Sequence, residues 1–166
     1  MSHFLAEPFA LVGCSSVLSS HLAMVLLVLL AGTGMLVMCW RLLGPGCAAV
    51  SAAAFATCNY LLADIYLRGA WYEVAACAAM PWVVFAQEEM FRPSVTWARR
   101  LSLFSLGAVA WGSLICGHPQ IAVFFIPLAV SQAGLHTATG GVAIKRVLDR
   151  CLPVVAAFLC GLALSA

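Results

Sequence analysis

The sequence predicts an all-α protein, a bundle of about six transmembrane helices with its N-terminus outside. Three observations predict it: an apolar composition, apolar runs of membrane-crossing length, and basic residues gathered in alternate loops. Of the 166 residues, 64% are apolar and only 8% are charged, with a mean hydropathy of +1.06. Soluble domains carry about a quarter charged residues, so lipid must be the solvent for most of this surface. The net charge of +2 is small and scattered along the chain, whereas a nucleic-acid footprint needs Lys and Arg clustered on one face. Composition therefore sets nucleic acid aside as a partner and names membrane lipids as one.

A helix needs about 20 mostly apolar residues to cross a hydrocarbon core ~30 Å thick. Runs near that length cover residues 22–40, 47–63, 70–87, 101–117, 121–137 and 151–166. The breaks between them carry turn chemistry: Gly44-Pro45-Gly46, Arg68-Gly69, Arg92-Pro93-Ser94, Gly117-His118-Pro119 and Thr139-Gly140-Gly141. Helices are required because lipid offers the backbone no hydrogen bonds, and the two-residue alternation of a barrel strand is absent. Residues 1–20 lack the basic start of a signal peptide, and Glu7-Pro8 interrupts their apolar run. They are expected to form an outer-face or partly inserted segment ahead of a transmembrane domain over 21–166. The last run has no polar or aromatic anchor after it, as if cut from a longer protein.

Orientation follows from the basic residues, since short loops rich in Lys and Arg stay in the cytoplasm. Arg41, then Arg92, Arg99 and Arg100, then Lys145, Arg146 and Arg150 occupy the first, third and fifth loops. Only Arg68 falls on the other side, which places the loops at 64–73 and 117–120 outside. Trp71, Tyr72 and Trp97 suit the aromatic belts at the two interfaces. Ala48, Ala52 and Ala56 recur every four residues and give the second helix a small-residue face for close packing. Six of the eight cysteines lie in or beside apolar runs and no CxxC pair occurs, so they read as small core residues.

The polar residues are few enough to weigh singly. In Asp64-Ile65-Tyr66-Leu67-Arg68-Gly69-Ala70-Trp71-Tyr72-Glu73, a continuing helix would set Asp64 and Arg68 at i,i+4 with the acid first, the favourable order for an ion pair. Glu73 would stand in the first turn of the next helix, where the dipole favours a carboxylate. Such a cluster is either an interfacial ion pair with a capping acid or a site for a polar or anionic group. Charges inside a membrane turn toward protein or water, and a guanidinium holds phosphate through two parallel hydrogen bonds. In Gly117-His118-Pro119-Gln120, His118 and Gln120 would sit at the outer mouth of the bundle. Cys116 and His118 alone supply too few ligands for a metal, and His21 with His118 makes a poor haem pair. On the inner side, Gln132 and His136 are one turn apart and positioned to hydrogen-bond a neighbouring helix. Glu88, Glu89, Arg92, Arg99 and Arg100 form a mixed-charge loop. No phosphate loop, Ser-His-Asp order or HExxH motif occurs.

The stretch from Asp64 to Val74, followed by Met80-Pro81-Trp82, resembles bacterial multi-spanning proteins with the pyruvoyl-tetrahydropterin-synthase-related membrane domain. These carry an acid-x-Tyr-x-Arg-Gly-Ala segment, then a Glu, then Leu-Pro or Met-Pro in the next helix. The likeness extends weakly to Gly117-His118-Pro119-Gln120 and covers about residues 20–130. It implies a C-type glycosyltransferase-like fold in the bacterial cytoplasmic membrane, acting on a polyprenyl-phosphate-linked sugar at the outer face. Arg68 would then hold the lipid phosphate, and Asp64, Glu73, His118 and Gln120 would line the sugar or acceptor site. No cofactor is implied beyond the option of a divalent cation, and other membrane subunits remain candidate partners. The family's catalytic acid stands in a large first outer loop. Here Glu7 is the only acid before Asp64, so the likeness assigns no catalytic residue. A non-enzymatic transporter, or a lipid-binding or helper subunit, is the rival reading.

Overall fold

The computed structural model describes residues 2–92, 95–138 and 144–165, and every regular element among them is helical. The chain runs α1 Ser2–Leu11, α2 Ser16–Leu43, α3 Pro45–Ala56, α4 Asn59–Ala63, a π-helical turn Asp64–Arg68, α5 Trp71–Phe91, α6 Trp97–Gly117, α7 Pro119–Ala138 and α8 Ile144–Ser165. The expected all-α bundle is therefore present, and the turn chemistry read from the sequence ends its helices. The Ser15 hydroxyl accepts from Leu18 N and opens α2, while Thr96 accepts from Arg99 N and opens α6. Gly44, at φ 89°, closes α2 and hands the chain to Pro45 at the start of α3. Of the predicted breaks, Pro93-Ser94 and Thr139-Gly140-Gly141 lie outside the described residues.

Among the described residues, three helical stretches are long and apolar enough to cross a membrane: Ser16–Leu43, Pro45–Arg68 and Trp97–Gly117. The first is longer than the run predicted for it, because α2 takes in Ser16 to His21 and extends to Leu43. The second departs from expectation in another way. Instead of one helix over 47–63, the chain breaks at Thr57 and Cys58, where Cys58 is extended with ψ 144°. The Thr57 hydroxyl donates to Ala53 O at 2.7 Å, a local bond that competes with continuation of the helix. Residues 1–20 prove to be helical over most of their length, as α1 and the first turn of α2.

The central helix is α5, which packs against α2, α6, α7 and α8 and is buried along most of its length. It is not among the three apolar spans because it carries Glu73, Gln87, Glu88 and Glu89. These side chains face protein, where partners meet their cost, and need no lipid contact. One core cluster joins Ala76, Ala79 and Val83 of α5 to Trp111 and Leu114 of α6 and Phe125 of α7. Trp111 meets Phe125 and Phe158 edge-on, at 5.9 and 5.0 Å between centroids. A second cluster binds α2 to α5 through Met24, Leu27 and Ala31 against Val74, Ala75 and Ala78. The predicted alanine face of α3 does meet α2: Ala48 is fully buried, and Ala56 lies opposite Gly32. None of the eight cysteines forms a disulfide.

Close approach replaces large side chains at two crossings. The Trp82 indole donates to Leu30 O at 3.0 Å, and a Cβ on Gly34 would come within 2.7 Å of that indole nitrogen. On the other side of the bundle, a Cβ on Gly161 of α8 would lie 2.8 Å from Gly112 N and 2.9 Å from Ala108 O. Backbone atoms cannot yield there as a flexible side chain can. Gly161→Ala is therefore expected to destabilise the bundle by about 1–3 kcal/mol, whereas Gly46→Ala, which meets open space, should leave it unchanged or slightly firmer. Unfolding of the two variants in mild detergent measures the difference.

Candidate functional site: a carboxylate-arginine cluster at one end of the bundle

Tyr60, Asp64 and Arg68 follow one another at intervals of four, which brings all three to the same side of the α4 and π-turn segment. Winding changes within that segment: Asp64 O accepts from both Gly69 N and Ala70 N, the wide closure of a π turn. Gly69 then ends it at φ 59°, a left-handed conformation that glycine adopts without a Cβ penalty. Two residues later α5 begins and carries Glu73 in its first turn, where the helix dipole favours a carboxylate. The reversal folds Glu73 back onto Arg68.

The guanidinium of Arg68 is gripped by both acids. Its NH1 donates to Asp64 Oδ1 at 2.8 Å and to Glu73 Oε2 at 2.9 Å, and its NH2 donates to Glu73 Oε1 at 2.8 Å. Tyr60 OH donates to the same Glu73 Oε2 at 2.6 Å. His118, the capping residue between α6 and α7, brings Nε2 to 3.5 Å from Glu73 Oε1. This contact is an ion pair when the imidazole is protonated. The expected Asp64–Arg68 pairing is thus realised, within a π turn and not within the α-helix that was predicted. Glu73 is the hub, meeting Arg68, Tyr60 and His118.

Burial divides the cluster. The Asp64 side chain is 0% exposed and that of Glu73 10%, whereas Arg68 is 53% exposed. A guanidinium has five N–H donors, and three are engaged by the two acids. The remaining two, on Nε and NH2, belong to a half-exposed group at the rim. Inside the rim, Asp64 Oδ2 and His118 Nδ1 are buried without a hydrogen-bond partner, a costly state that an incoming polar group would relieve. Beside the cluster lies an apolar cleft of about 420 Å³, lined by Phe55, Cys58, Tyr60, Leu61, Cys77 and Met80 among others. Tyr60 belongs to both, with its ring in the cleft and its hydroxyl on Glu73.

Four of the five residues expected from sequence therefore come together: Asp64, Arg68, Glu73 and His118. The fifth, Gln120, is exposed at the start of α7 and takes no part in the hydrogen bonds of the cluster. Tyr60 escaped the sequence reading, although its four-residue spacing from Asp64 was a usable signal. Among the described residues no group of three or more His, Cys, Asp and Glu could hold a metal ion. The positive charge between the two carboxylates is the arginine's own.

The polar residues expected on the inner side are also placed. Gln132 Nε2 donates to Glu88 Oε1 at 2.7 Å, the interhelical bond expected of it, and Gln87 Nε2 donates to Ala129 O at 2.6 Å. The side chains of His136, Lys145, Arg146 and Arg150 lie outside the described residues. No family model matches the chain, and no curated protein or solved structure is significantly similar to it.

Removing Arg68 alone strands two neighbouring carboxylates in a buried setting, the costliest way to break such a cluster. Arg68→Ala is expected to lower the unfolding temperature in detergent, and adding Glu73→Gln to it should restore part of the loss. A double variant less stable than Arg68→Ala alone would show that the acids do not depend on the arginine.

Proposed function

We propose that the chain is a multi-pass protein of the bacterial cytoplasmic membrane, with the Arg68 cluster facing outward, and that it handles a polyprenyl-phosphate-linked sugar in the manner of a C-type glycosyltransferase. The observation that carries this reading is the pairing of a polar clamp with an apolar cleft through one residue, Tyr60. An amphiphile with a charged phosphate, hydroxyl-rich head and isoprenoid tail needs such a pairing. The two donors of Arg68 that the acids do not engage can meet phosphate oxygens in the bidentate manner that favours arginine over lysine. Asp64 Oδ2 and His118 Nδ1, unpartnered inside the rim, can accept hydrogen bonds from a sugar hydroxyl that enters there, with Glu73 holding Arg68 in place, and Gln120 stands at the approach from water. The apolar cleft beneath them offers the tail a site shielded from water. The resemblance of residues 64–82 to the membrane-domain family and the distribution of basic residues support the same reading.

A second reading, a lipid-binding or helper subunit without chemistry of its own, is favoured by one feature. Both terminal nitrogens of Arg68 are already engaged by Asp64 and Glu73, so the cluster also serves as a clamp between the π turn and α5.

Sugar transfer from polyprenyl-phosphate donors, assayed in membranes containing the chain, separates the two. Transfer is expected with the natural sequence and a loss of tenfold or more (about 1.4 kcal/mol) with Arg68→Lys, which keeps the charge and loses the planar fork. Equal transfer by both would remove Arg68 from the mechanism. Donor binding without transfer in either would favour the second reading.

A further inference from the structure

The opposite end of the bundle holds a second charge cluster that the proposed sugar-phosphate site does not use. Glu89 of α5 is a buried carboxylate with its side chain 3% exposed, and three arginines from different parts of the chain converge on it. Arg99 NH2, from α6, donates to Oε2 at 2.9 Å. Arg92 Nε, at the end of α5, stands 3.0 Å from Oε1, and Arg41 NH2, from α2, stands 3.8 Å from Oε2. Among the described residues at this end, Glu88 and Glu89 supply two negative charges against the four positive charges of Arg41, Arg92, Arg99 and Arg100, so the balance is positive. All three guanidiniums are between about two-fifths and one-half exposed, and Arg100 nearby has a buried Nε without a partner. An arrangement serving only to neutralise Glu89 would need a single arginine.

The same three helices form an apolar groove deeper in the bundle. It has a volume of about 310 Å³ and is lined by Leu30 of α2, Ala79 and Trp82 of α5, and Leu106, Val109 and Ala110 of α6, among others. Trp82 precedes Glu89 by seven residues and Leu106 follows Arg99 by seven. At 1.5 Å per residue, the near edge of the groove therefore lies about 10 Å from the charged residues along α5 and α6, and about 16 Å from Arg41 along α2. Val109 on its wall is 60% exposed, so the groove opens onto the outer surface of the bundle. A surplus of positive charge at one end of these helices, with a separate apolar groove about 10 to 16 Å further along them, matches the spacing of the two halves of an anionic phospholipid. Basic pockets between membrane helices on the cytoplasmic side bind such headgroups.

We infer that Arg41, Arg92 and Arg99 form a binding site for the headgroup of an anionic phospholipid of the inner leaflet, with one acyl chain in the groove beside Trp82. The inference rests on the membrane reading and the orientation given above, and it is independent of sugar transfer. The charge complementarity selects phosphatidylglycerol or cardiolipin over zwitterionic lipid. The site would tie the α2, α5 and α6 ends together through the lipid phosphate, in addition to the tie through Glu89.

Phospholipid that co-purifies with the full chain in mild detergent, quantified by mass spectrometry against the source membrane, tests it. Anionic lipid is expected to be enriched. The enrichment should fall about fivefold in Arg41→Gln, further in the Arg41→Gln/Arg99→Gln variant, and stay in Arg41→Lys, since each basic residue near an anionic headgroup contributes a comparable share. Val109→Trp, which fills the groove without changing charge, should lower it as well. Lipid in the proportions of the source membrane would overturn the inference, and so would enrichment indifferent to the double glutamine variant. Displacement of the lipid by excess inorganic phosphate, with the groove variant silent, would assign the arginines to a free anion and overturn the lipid assignment. The sugar-transfer assay reports separately, because these variants leave the Arg68 cluster untouched.

Discussion

The arrangement at the Tyr60–Glu73 end of the bundle depends on a single guanidinium shared between two buried carboxylates. Asp64 sits in a π turn and Glu73 in the first turn of the next helix, and without Arg68 the two acids would face each other across a poorly hydrated space. Coulomb forces are strong where water is scarce, so the arginine fixes how sharply the chain reverses between Tyr60 and Glu73. Gly69 makes the reversal sterically available, and the helix dipole of α5 favours Glu73 within it. Tyr60 and His118 then attach this reversal to the apolar cleft and to the α6–α7 junction. Orientation of the cluster relative to the bundle follows from these contacts.

The central helix links the two ends. α5 carries Glu73 at one end and Glu89 at the other; Glu73 holds Arg68, and Glu89 draws in Arg41, Arg92 and Arg99. Between them the helix is alanine-rich and buried, so α2 and α6 can approach it closely. Its hydropathy is lowered by Glu73, Gln87, Glu88 and Glu89, whose side chains bond neighbouring helices. The helices around it, whose outer faces must meet lipid, supply the long apolar runs. The same principle explains why large apolar residues such as Leu29, Val50 and Val109 are exposed: in a bilayer these positions are buried in hydrocarbon.

Much of the helical layout was legible because it rests on local chemistry. Gly44-Pro45 and Gly117-His118-Pro119 end and start helices through φ restrictions and missing donors, which any reader of the chain can apply. The Asp64–Arg68 spacing likewise reports a contact between near neighbours. What could not be read depends on tertiary position. The break at Thr57 and Cys58 has no Gly or Pro to mark it, and the π turn differs from an α turn only in which carbonyl is reached. Glu89 looked like part of a solvated loop because its partners Arg41 and Arg99 come from other helices. Gly34 and Gly161 were anonymous until the helices facing them were known. The membrane-domain resemblance rested on one local segment, and that segment is where the polar cluster forms.

The central claim is that the Arg68 cluster and the Glu89 arginines lie on opposite sides of a membrane. Tyr66 and Trp97 report on the two ends, being 79% exposed each and outside both ion-pair networks. In a background with the native cysteines replaced, Tyr66→Cys and Trp97→Cys can be exposed in intact cells to a membrane-impermeant thiol reagent. The account predicts labelling at position 66 from outside and at position 97 only after the cells are opened. Labelling of position 97 in intact cells with position 66 protected would contradict it.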